Sequence, residues 1–557
     1  MAYPSTLVEA LDRLPGGEAR GFRFYGSDRQ ERYFPYEAMR AEAHRRAAFF
    51  HAVGLRKGAC IALVLPENHE FVLSFLGATV GGFVPVPIFP RASFRGVEAY
   101  VDTLEHIVKA SRAELVVCMR QNHDVVALLR ERDGLATLPM LDVETDLGGA
   151  APPFSPPTVT PDDLCFLQFT SGSTSKPKGV MVKHGNLIAN TTSFLGPAGL
   201  DHRPDDIGVS WLPLFHDMGL IGFVLGTLIV DLPVVLMPTP TFARTPRMWL
   251  DLITKHRGTI TYAPNFAYEL VTKRCSEKDV AALDLSSLRI AGCGAEPIRA
   301  RTLLDFAHKF RPAGFRSEAL LPSYGMAESC LAITFHQRGT PMIVDRVDPA
   351  AMKEGRAVPS DAPDALEIVS CGVPFPGHEL AIVDERGRPV GERIVGQILS
   401  KGPSVTSGYF ENPEATAETF ENGWLRTGDL GYIANGNLFV CGRIKDLIIL
   451  RGANYHPQDL EWVVSDLPGV RRGNVVAFSV IRDGTERLVI AAEANRSDAA
   501  RLKQEIAEAL QRSFGLTPWH VAVCGVGTLP KTSSGKAQRH KTRTMWENGE
   551  LAEHAVS

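Results

Sequence analysis

Residues 169–184 read FTSGSTSKPKGVMVKH, and what that loop holds decides how the rest of the chain is read. Five hydroxyl side chains (Thr170, Ser171, Ser173, Thr174, Ser175) and two lysines (Lys176, Lys178) fall within nine residues, directly after the apolar run LCFLQF. A strand that opens into Gly, Ser and Thr, with lysines behind, offers backbone N–H groups, hydroxyl donors and positive charge to one anionic group. That suits a polyphosphate. A bare cluster of this composition also serves as a solvated turn, so the residues around it must decide. The common nucleotide-binding loop is excluded, because GxxxxGK followed by Ser or Thr occurs nowhere. A GxSxG nucleophile elbow and an HExxH metal site are absent too, and GCG at 292–294 lacks the third glycine of a dinucleotide fingerprint.

The chain has 557 residues, 45% of them hydrophobic, which is enough for large cores and roughly three or four domain-sized units. A net charge of −4 gives no overall basic field, so neither nucleic acid nor an anionic membrane surface is an expected partner. Nine cysteines, an odd number with no CxxC pair, read as reduced thiols in a cytosolic protein. The start, MAYPSTLVEALDRLPGG, has no charged-then-apolar leader, which agrees with a cytoplasmic location. The longest apolar run, GLIGFVLGTLIV at 219–230, is too short to span a bilayer and reads as core. The proline-rich stretch APPFSPPTVTP at 151–161 reads as a connector.

Towards the C-terminus the pattern changes. NVVAFSVI (474–481) and RLVIAAEA (487–494) read as two strands joined around Asp483-Gly484, a hairpin signal. In DAARLKQEIAEALQRSF, Leu502, Ile506, Leu510 and Phe514 recur every four residues and form one apolar stripe on a helix. A further strand, HVAVCGV, leads into LPKTSSGK. A small α+β unit after about residue 445 therefore follows a much larger α/β body.

The opening loop resembles the phosphate-binding signature of the adenylate-forming superfamily, which includes acyl-CoA synthetases, luciferases and the adenylation domains of peptide synthetases. The other signatures follow in the family's order: PLFHDMGL (213–220), GAEPI (294–298), SYGMAES (323–329), WLRTGDLG (424–431), GRIKDLI (442–448) and PKTSSGK (530–536). The resemblance covers about residues 20 to 545. It implies a large α/β N-terminal domain of several subdomains, 1–444, and a small mobile α+β C-terminal domain, 445–557. It also implies a reaction that joins a carboxylate to AMP, releases pyrophosphate and leaves an anhydride that a thiol can attack.

Two anions must meet in such a site, and at about 4 Å each unit-charge pair repels by roughly 4 kcal/mol at an effective dielectric near 20, so cations are required. By resemblance, Lys536 is the catalytic cation that reaches the α-phosphate and the substrate carboxylate, and Glu328 holds Mg²⁺ on the phosphates of ATP. Thr170, Ser171, Gly172, Ser173, Thr174 and Lys178 would cradle the phosphates. Tyr324 resembles the aromatic residue that stacks on adenine, with Gly294, Ala295, Glu296 and Gly325 lining the base and Met326 and Ala327 beside them. Asp429 would accept hydrogen bonds from the ribose hydroxyls, and Arg443 would approach the ribose or phosphates. His216 lies beside the expected acid pocket, as a residue that shifts between steps or as a hydrogen-bonded structural histidine. Lys445 occupies the family's hinge position, about which the C-terminal domain rotates between the two half-reactions.

The branch of the superfamily is read from an insertion. Between Glu328 and Gly372 lie 43 residues, including MIVDRV and EGRAV, and the extra segment is placed at about 337–368. Together with SCG and RGANYHPQDLE at 451–461 it resembles the fatty acyl-AMP ligases, which pass a fatty acid to the phosphopantetheine thiol of an acyl carrier protein for polyketide, lipopeptide or lipid synthesis. Ser175 stands where the family usually has glycine, and Asn454-Tyr455-His456 departs from its usual order. GLIGFVLG with Gly292 and Gly294 could border an acyl tunnel. No Asp-Ser carrier attachment motif follows residue 445, so the carrier would be a separate protein or domain. The basic stretch KAQRHKTR (536–543) reads as a contact for an acidic carrier helix or as a solvated tail. Two alternatives stay open: a fatty acyl-CoA synthetase with an unusual insertion, and a non-catalytic acyl- or nucleotide-binding protein.

Overall fold

The computed structural model describes residues 3–91, 97–170, 176–482, 484–495, 499–532 and 535–554. Its largest sheet, among the described residues, runs in the order Val373–Pro374, Ala332–Phe335, Leu320–Gly325, Ile290–Cys293, Ile260–Ala263, Gly208–Ser210, Val234–Leu236, Gly21–Tyr25, Glu31–Pro35. The six strands from Leu320–Gly325 to Gly21–Tyr25 are mutually parallel and the outer ones pair antiparallel. Short, wholly apolar runs such as VVL and ITYA suit that position, because helices cover both faces of a parallel sheet. A second parallel sheet orders Val84–Pro87, Cys60–Val64, Leu115–Cys118 and Met140–Asp142. An antiparallel sheet built on Trp424–Ala434 and Asn437–Arg443 follows.

The C-terminal region builds cores of its own. Val470–Arg482 and Thr485–Ala494 pair antiparallel, with Arg482 opposite Thr485, so the hairpin turns where the sequence places it; Asp483 lies outside the described residues. His520–Cys524 adds in parallel. The helix Ala499–Phe514 buries Leu502, Ile506 and Leu510 against one face of this sheet, and Leu529 and Leu551 pack on the other.

The insertion is folded rather than loose. Val344–Val347 and Leu366–Val369 form an antiparallel ribbon, with the short helix Pro349–Lys353 between them. Tyr432 donates its hydroxyl to Asp345 at 2.7 Å and Arg393 pairs with the same carboxylate at 2.9 Å, which ties the ribbon to the antiparallel sheet. Its helix reaches the C-terminal region: Lys353 Nζ donates to Phe514 O at 3.3 Å and lies 5.2 Å above the Tyr455 ring.

The apolar run 219–230 is buried core, with a π-type turn over Ile221–Leu225. The nine cysteines are all buried as free thiols. The reading of KAQRHKTR needs one correction. Arg539 is no tail residue: its guanidinium donates to Asp446 at 2.6 Å, Glu461 at 2.8 Å and Ala477 O at 2.9 Å, so that charge is satisfied inside the C-terminal unit. Among the described residues, no helix is long and apolar enough to cross a membrane.

Candidate active site

The parallel strands Gly208–Ser210, Ile260–Ala263, Ile290–Cys293 and Leu320–Gly325 end at one edge of the sheet, and candidate residues lie at or beyond the ends of all but Ile260–Ala263. Loops beyond the carboxyl ends of parallel strands are the usual ligand position in an open α/β sheet. Here they bring together His216 and Asp217, Gly294 to Glu296, and Tyr324 to Glu328. Two backbones are strained at that edge: Ala295 lies at φ 69° and Cys330 at φ 64°. A left-handed conformation is costly for a residue with a side chain and persists where surrounding contacts hold it.

Tyr324 donates its hydroxyl to Asp429 Oδ2 at 2.6 Å, and Arg443 Nε lies 3.2 Å from Asp429 Oδ1. Asp429 and Arg443 are direct cross-strand partners in the ladder between Trp424–Ala434 and Asn437–Arg443, so the pairing fixes both side chains on one face. The Asp429 amide donates to Thr427 Oγ1 at 3.1 Å, which sets the turn.

A second chain of contacts links the opening loop to Glu328. Leu164–Thr170 and Lys178–Lys183 pair antiparallel, with Thr170 opposite Lys178 at the mouth of the loop. Ser171, Gly172, Ser173, Thr174 and Ser175 lie outside the described residues. Lys178 Nζ sits 5.0 Å above the Tyr409 ring, and Tyr409 donates its hydroxyl to Glu328 Oε1 at 2.7 Å. Phe410 N to Gly179 O at 2.8 Å and Thr406 N to Glu328 O at 2.9 Å stitch the three segments together. Tyr409 was not among the sequence candidates. It lies in no recognised signature, and its role depends on a contact 81 residues away.

The electrostatics are those of an acidic, poorly solvated pocket. Burial pushes the carboxyls of Glu328, Asp217, Asp429 and Glu296 above the ordinary carboxylate range. Burial also lowers the Lys536 ammonium, while the charges of Glu296 and Asp217 oppose that shift. Lys536 therefore comes from the C-terminal unit into the field of acids on the large body. Its backbone N–H donates to Thr532 Oγ1 at 3.1 Å. Burial, and then the Lys536 charge, take the His216 imidazole down to about 3, so it is neutral. Glu296, expected along the base, accepts the Phe266 amide on its carboxylate at 2.7 Å and so braces the neighbouring loop. Asp217, inside PLFHDMGL, is an acid that the signature itself could have supplied. Lys445 lies exposed in the turn Ile444–Asp446.

From Asp217, Gly294, Ala295, Tyr324 and Gly325 a cavity leads into the apolar interior. Met218, Gly222, Phe223, Tyr262, Leu331 and Phe335 form its walls. Gly292 does not line it but shapes it: a Cβ there would stand 2.1 Å from the Tyr262 ring, so only glycine lets that ring lie across the strand. The lining is that of a site for a largely apolar small molecule.

Glu328 offers one buried carboxylate, and among the described residues no group of three His, Cys, Asp or Glu side chains gathers to hold an ion. That donor set fits Mg²⁺ held by one carboxylate together with nucleotide phosphates, not by an all-protein cage.

Comparison with known proteins gives one consistent answer. The family described as AMP-binding enzyme matches residues 18–410. A Caulobacter vibrioides protein provisionally named an acyl-CoA synthetase is 38% identical over 98% of this chain and 96% of its own. The medium-chain-fatty-acid–[acyl-carrier-protein] ligase JamA of Moorena producens is 34% identical over 88% of this chain and 86% of its own. A solved structure from studies of the fatty acyl-adenylate ligases of E. coli and L. pneumophila superposes with a TM-score of 0.93, at 34% identity and over 99% of both chains. With its signatures gathered at one sheet edge and this match over most of its length, the chain belongs to the AMP-binding enzyme family.

Proposed function

We propose that the chain is a fatty acyl-AMP ligase that activates a medium- or long-chain fatty acid with ATP and passes the acyl group to the phosphopantetheine thiol of a carrier protein. The observation that carries this reading is the apolar cavity, which opens beside Tyr324, Gly294 and Asp217 and runs inward from them. An acyl chain held there would leave its carboxylate at the mouth, in the reach of Lys536. In the first half-reaction a carboxylate oxygen attacks the α-phosphorus, the new P–O bond forms, and the bond to the bridging oxygen breaks as pyrophosphate leaves. Lys536 offsets the charge that gathers on the α-phosphate. Tyr324 and Asp429 hold the nucleoside, and Arg443 adds a second cation. Thr170, Lys178 and the hydroxyl-rich residues between them hold the phosphates. Glu328, oriented by Tyr409, would hold Mg²⁺, which when bound neutralises phosphate charge. In the second half-reaction the thiol loses its proton, its sulfur attacks the carbonyl carbon, and AMP leaves.

The division into 1–444 and 445–557, with Lys445 as hinge, belongs to this reading. It is supported by the separate cores on either side of the Ile444–Asp446 turn. Nine buried thiols support a reducing, cytoplasmic location. A carrier-loading enzyme must prefer a protein-bound arm to the same arm on CoA, so discrimination comes from what surrounds the arm. The insertion helix against the C-terminal unit supports such a preference by opposing the rotation that free CoA needs. The second reading, an acyl-CoA synthetase, is favoured by the name of the Caulobacter relative.

One assay separates the two. Protein with ATP, Mg²⁺ and dodecanoic acid should accumulate acyl-AMP in the presence of CoA and yield thioester only when a holo carrier protein is added. Rapid acyl-CoA formation would replace the first reading with the second, and failure of ATP–pyrophosphate exchange with every fatty acid would remove both.

A further inference from the structure

The cavity has a far end as well as a mouth. Gly208 and Ile260, the first residues of their strands, line it along with Leu232, two residues before Val234–Leu236, so it follows the strands back to their amino ends. There it meets Phe194, Leu195 and Leu200, at the end of the helix His184–Leu195 and in the turn after it. Leu200 is 3% exposed.

That turn is wound tightly on the helix it ends. Leu200 N donates to Phe194 O at 2.7 Å, Asp201 N to Gly196 O at 2.9 Å and His202 N to Leu195 O at 3.0 Å. Gly199 passes so close that a Cβ would fall 2.0 Å from Phe194 O. Asp201 takes φ 49°.

Two arginines from other elements clamp it. Arg338, just beyond the strand Ala332–Phe335 and at the start of the insertion, donates to Gly199 O at 2.7 Å, Pro197 O at 3.3 Å and Asp201 Oδ2 at 3.1 Å. Arg289 donates from Nη1 to Leu200 O at 2.7 Å and from Nη2 to Asp201 O at 3.1 Å, and its Nε and Nη2 also pair with Asp206. Both arginines also line a groove, together with Arg203, Arg316 and Glu318. One turn of backbone thus separates the apolar cavity from a basic groove.

We propose that the turn at 197–201 is the floor of the acyl cavity, that Leu200 sets the longest chain accepted, and that Arg338 and Arg289 are positioning residues that hold the floor in place. The proposal rests on the fatty-acid reading above. Truncating Leu200 opens the cavity toward the groove, so a longer chain gains room; enlarging it fills space that the last carbons need.

The test is the chain-length profile of ATP–pyrophosphate exchange, read as kcat/KM for octanoic, dodecanoic and hexadecanoic acids and their longer homologues. Leu200→Ala should gain roughly tenfold on the first acids beyond the wild-type limit, the worth of about one methylene in an apolar pocket. Leu200→Phe should lose about as much on the longest acids that the wild type accepts and keep its kcat on the shortest. Arg338→Ala should raise KM for the longest accepted acids and leave kcat on the shortest unchanged. Activity on the shortest acid reports that each variant is folded, and Leu200→Val serves where Leu200→Ala is not. Wild-type profiles in both Leu200 variants would overturn the floor. Absence of exchange in the wild type with any fatty acid would instead overturn the reading beneath it.

Discussion

At Glu328 a buried carboxylate receives one phenol hydroxyl, and that phenol lies under the ammonium of Lys178. Three residues from three segments thus connect the hydroxyl-rich loop with the acid expected to hold the metal. Removing the hydroxyl with Tyr409→Phe keeps the ring beneath Lys178 but frees the carboxylate. Loss of a group that orients a metal ligand commonly costs about 10- to 100-fold. Adenylation by the variant should fall by roughly tenfold, with a raised Mg²⁺ requirement in pyrophosphate exchange; an unchanged Mg²⁺ titration would detach Tyr409 from the site. Lys536 is tested differently, because it enters from the C-terminal unit. Lys536→Ala should lose acyl-adenylate formation by roughly a hundredfold or more, as for a donor that meets developing charge. Transfer from supplied acyl-AMP should survive, since that step begins with the anhydride already made. Near-normal adenylation by the variant would mean that PKTSSGK does not serve the phosphate.

Among the elements, the helix His184–Leu195 joins the hairpin that carries the loop to the floor of the cavity, and it starts on a histidine that must stay neutral. His184 Nδ1 accepts the Leu7 amide at 3.1 Å, and burial takes the imidazole from 6.5 to about 4. The folded pKa lies below the unfolded one, so the unfolded chain takes up a proton first as pH falls. Stability from this group is complete above about pH 6.5 and declines by about 1.4 kcal/mol per unit toward pH 4. His184→Gln cannot titrate, so its stability deficit relative to wild type should shrink by about 1 kcal/mol between about pH 6 and pH 5 in urea unfolding. A constant deficit would show that the ring is not the titrating group. Elements of this kind were legible where the pattern is local: Leu502, Ile506 and Leu510 announce their helix, and the alternation around Asp483-Gly484 announces its hairpin. The signatures pointed to Tyr324, Asp429, Arg443 and Lys536 by order alone, and the first three are in contact. Tyr409, the Leu200 floor and its Arg338 clamp were not legible, because each depends on contacts between segments about 80 to 140 residues apart. The parallel pairing of Gly21–Tyr25 with Val234–Leu236 is of the same sort.

For the whole molecule the question is how firmly the C-terminal unit is held. Lys353 of the insertion reaches Phe514 O at 3.3 Å and the Tyr455 ring at 5.2 Å. On the other side Arg299 of the large body pairs with Asp466, with Nη1 to Oδ1 at 3.0 Å, and lies 5.9 Å from the Trp462 ring. Both contacts involve partly exposed groups, so each is worth about 1 kcal/mol or less. They hold the arrangement in which Lys536 meets the pocket, and the rotation proposed above would have to break them. Breaking them in advance costs adenylation little, because that half-reaction already has its arrangement, but under the proposed rotation it eases the state that CoA would require. A change of about 1 kcal/mol corresponds to roughly fivefold. Lys353→Ala should therefore raise acyl-CoA formation by up to about fivefold, and Lys353→Ala with Arg299→Ala by somewhat more, with pyrophosphate exchange within about twofold of wild type. The measurement is the ratio of acyl-CoA to acyl-AMP at equal exchange rates. An unchanged ratio in the double variant would mean that these contacts do not restrain the rotation, and the preference for a carrier would then have to arise at the thiol entrance itself.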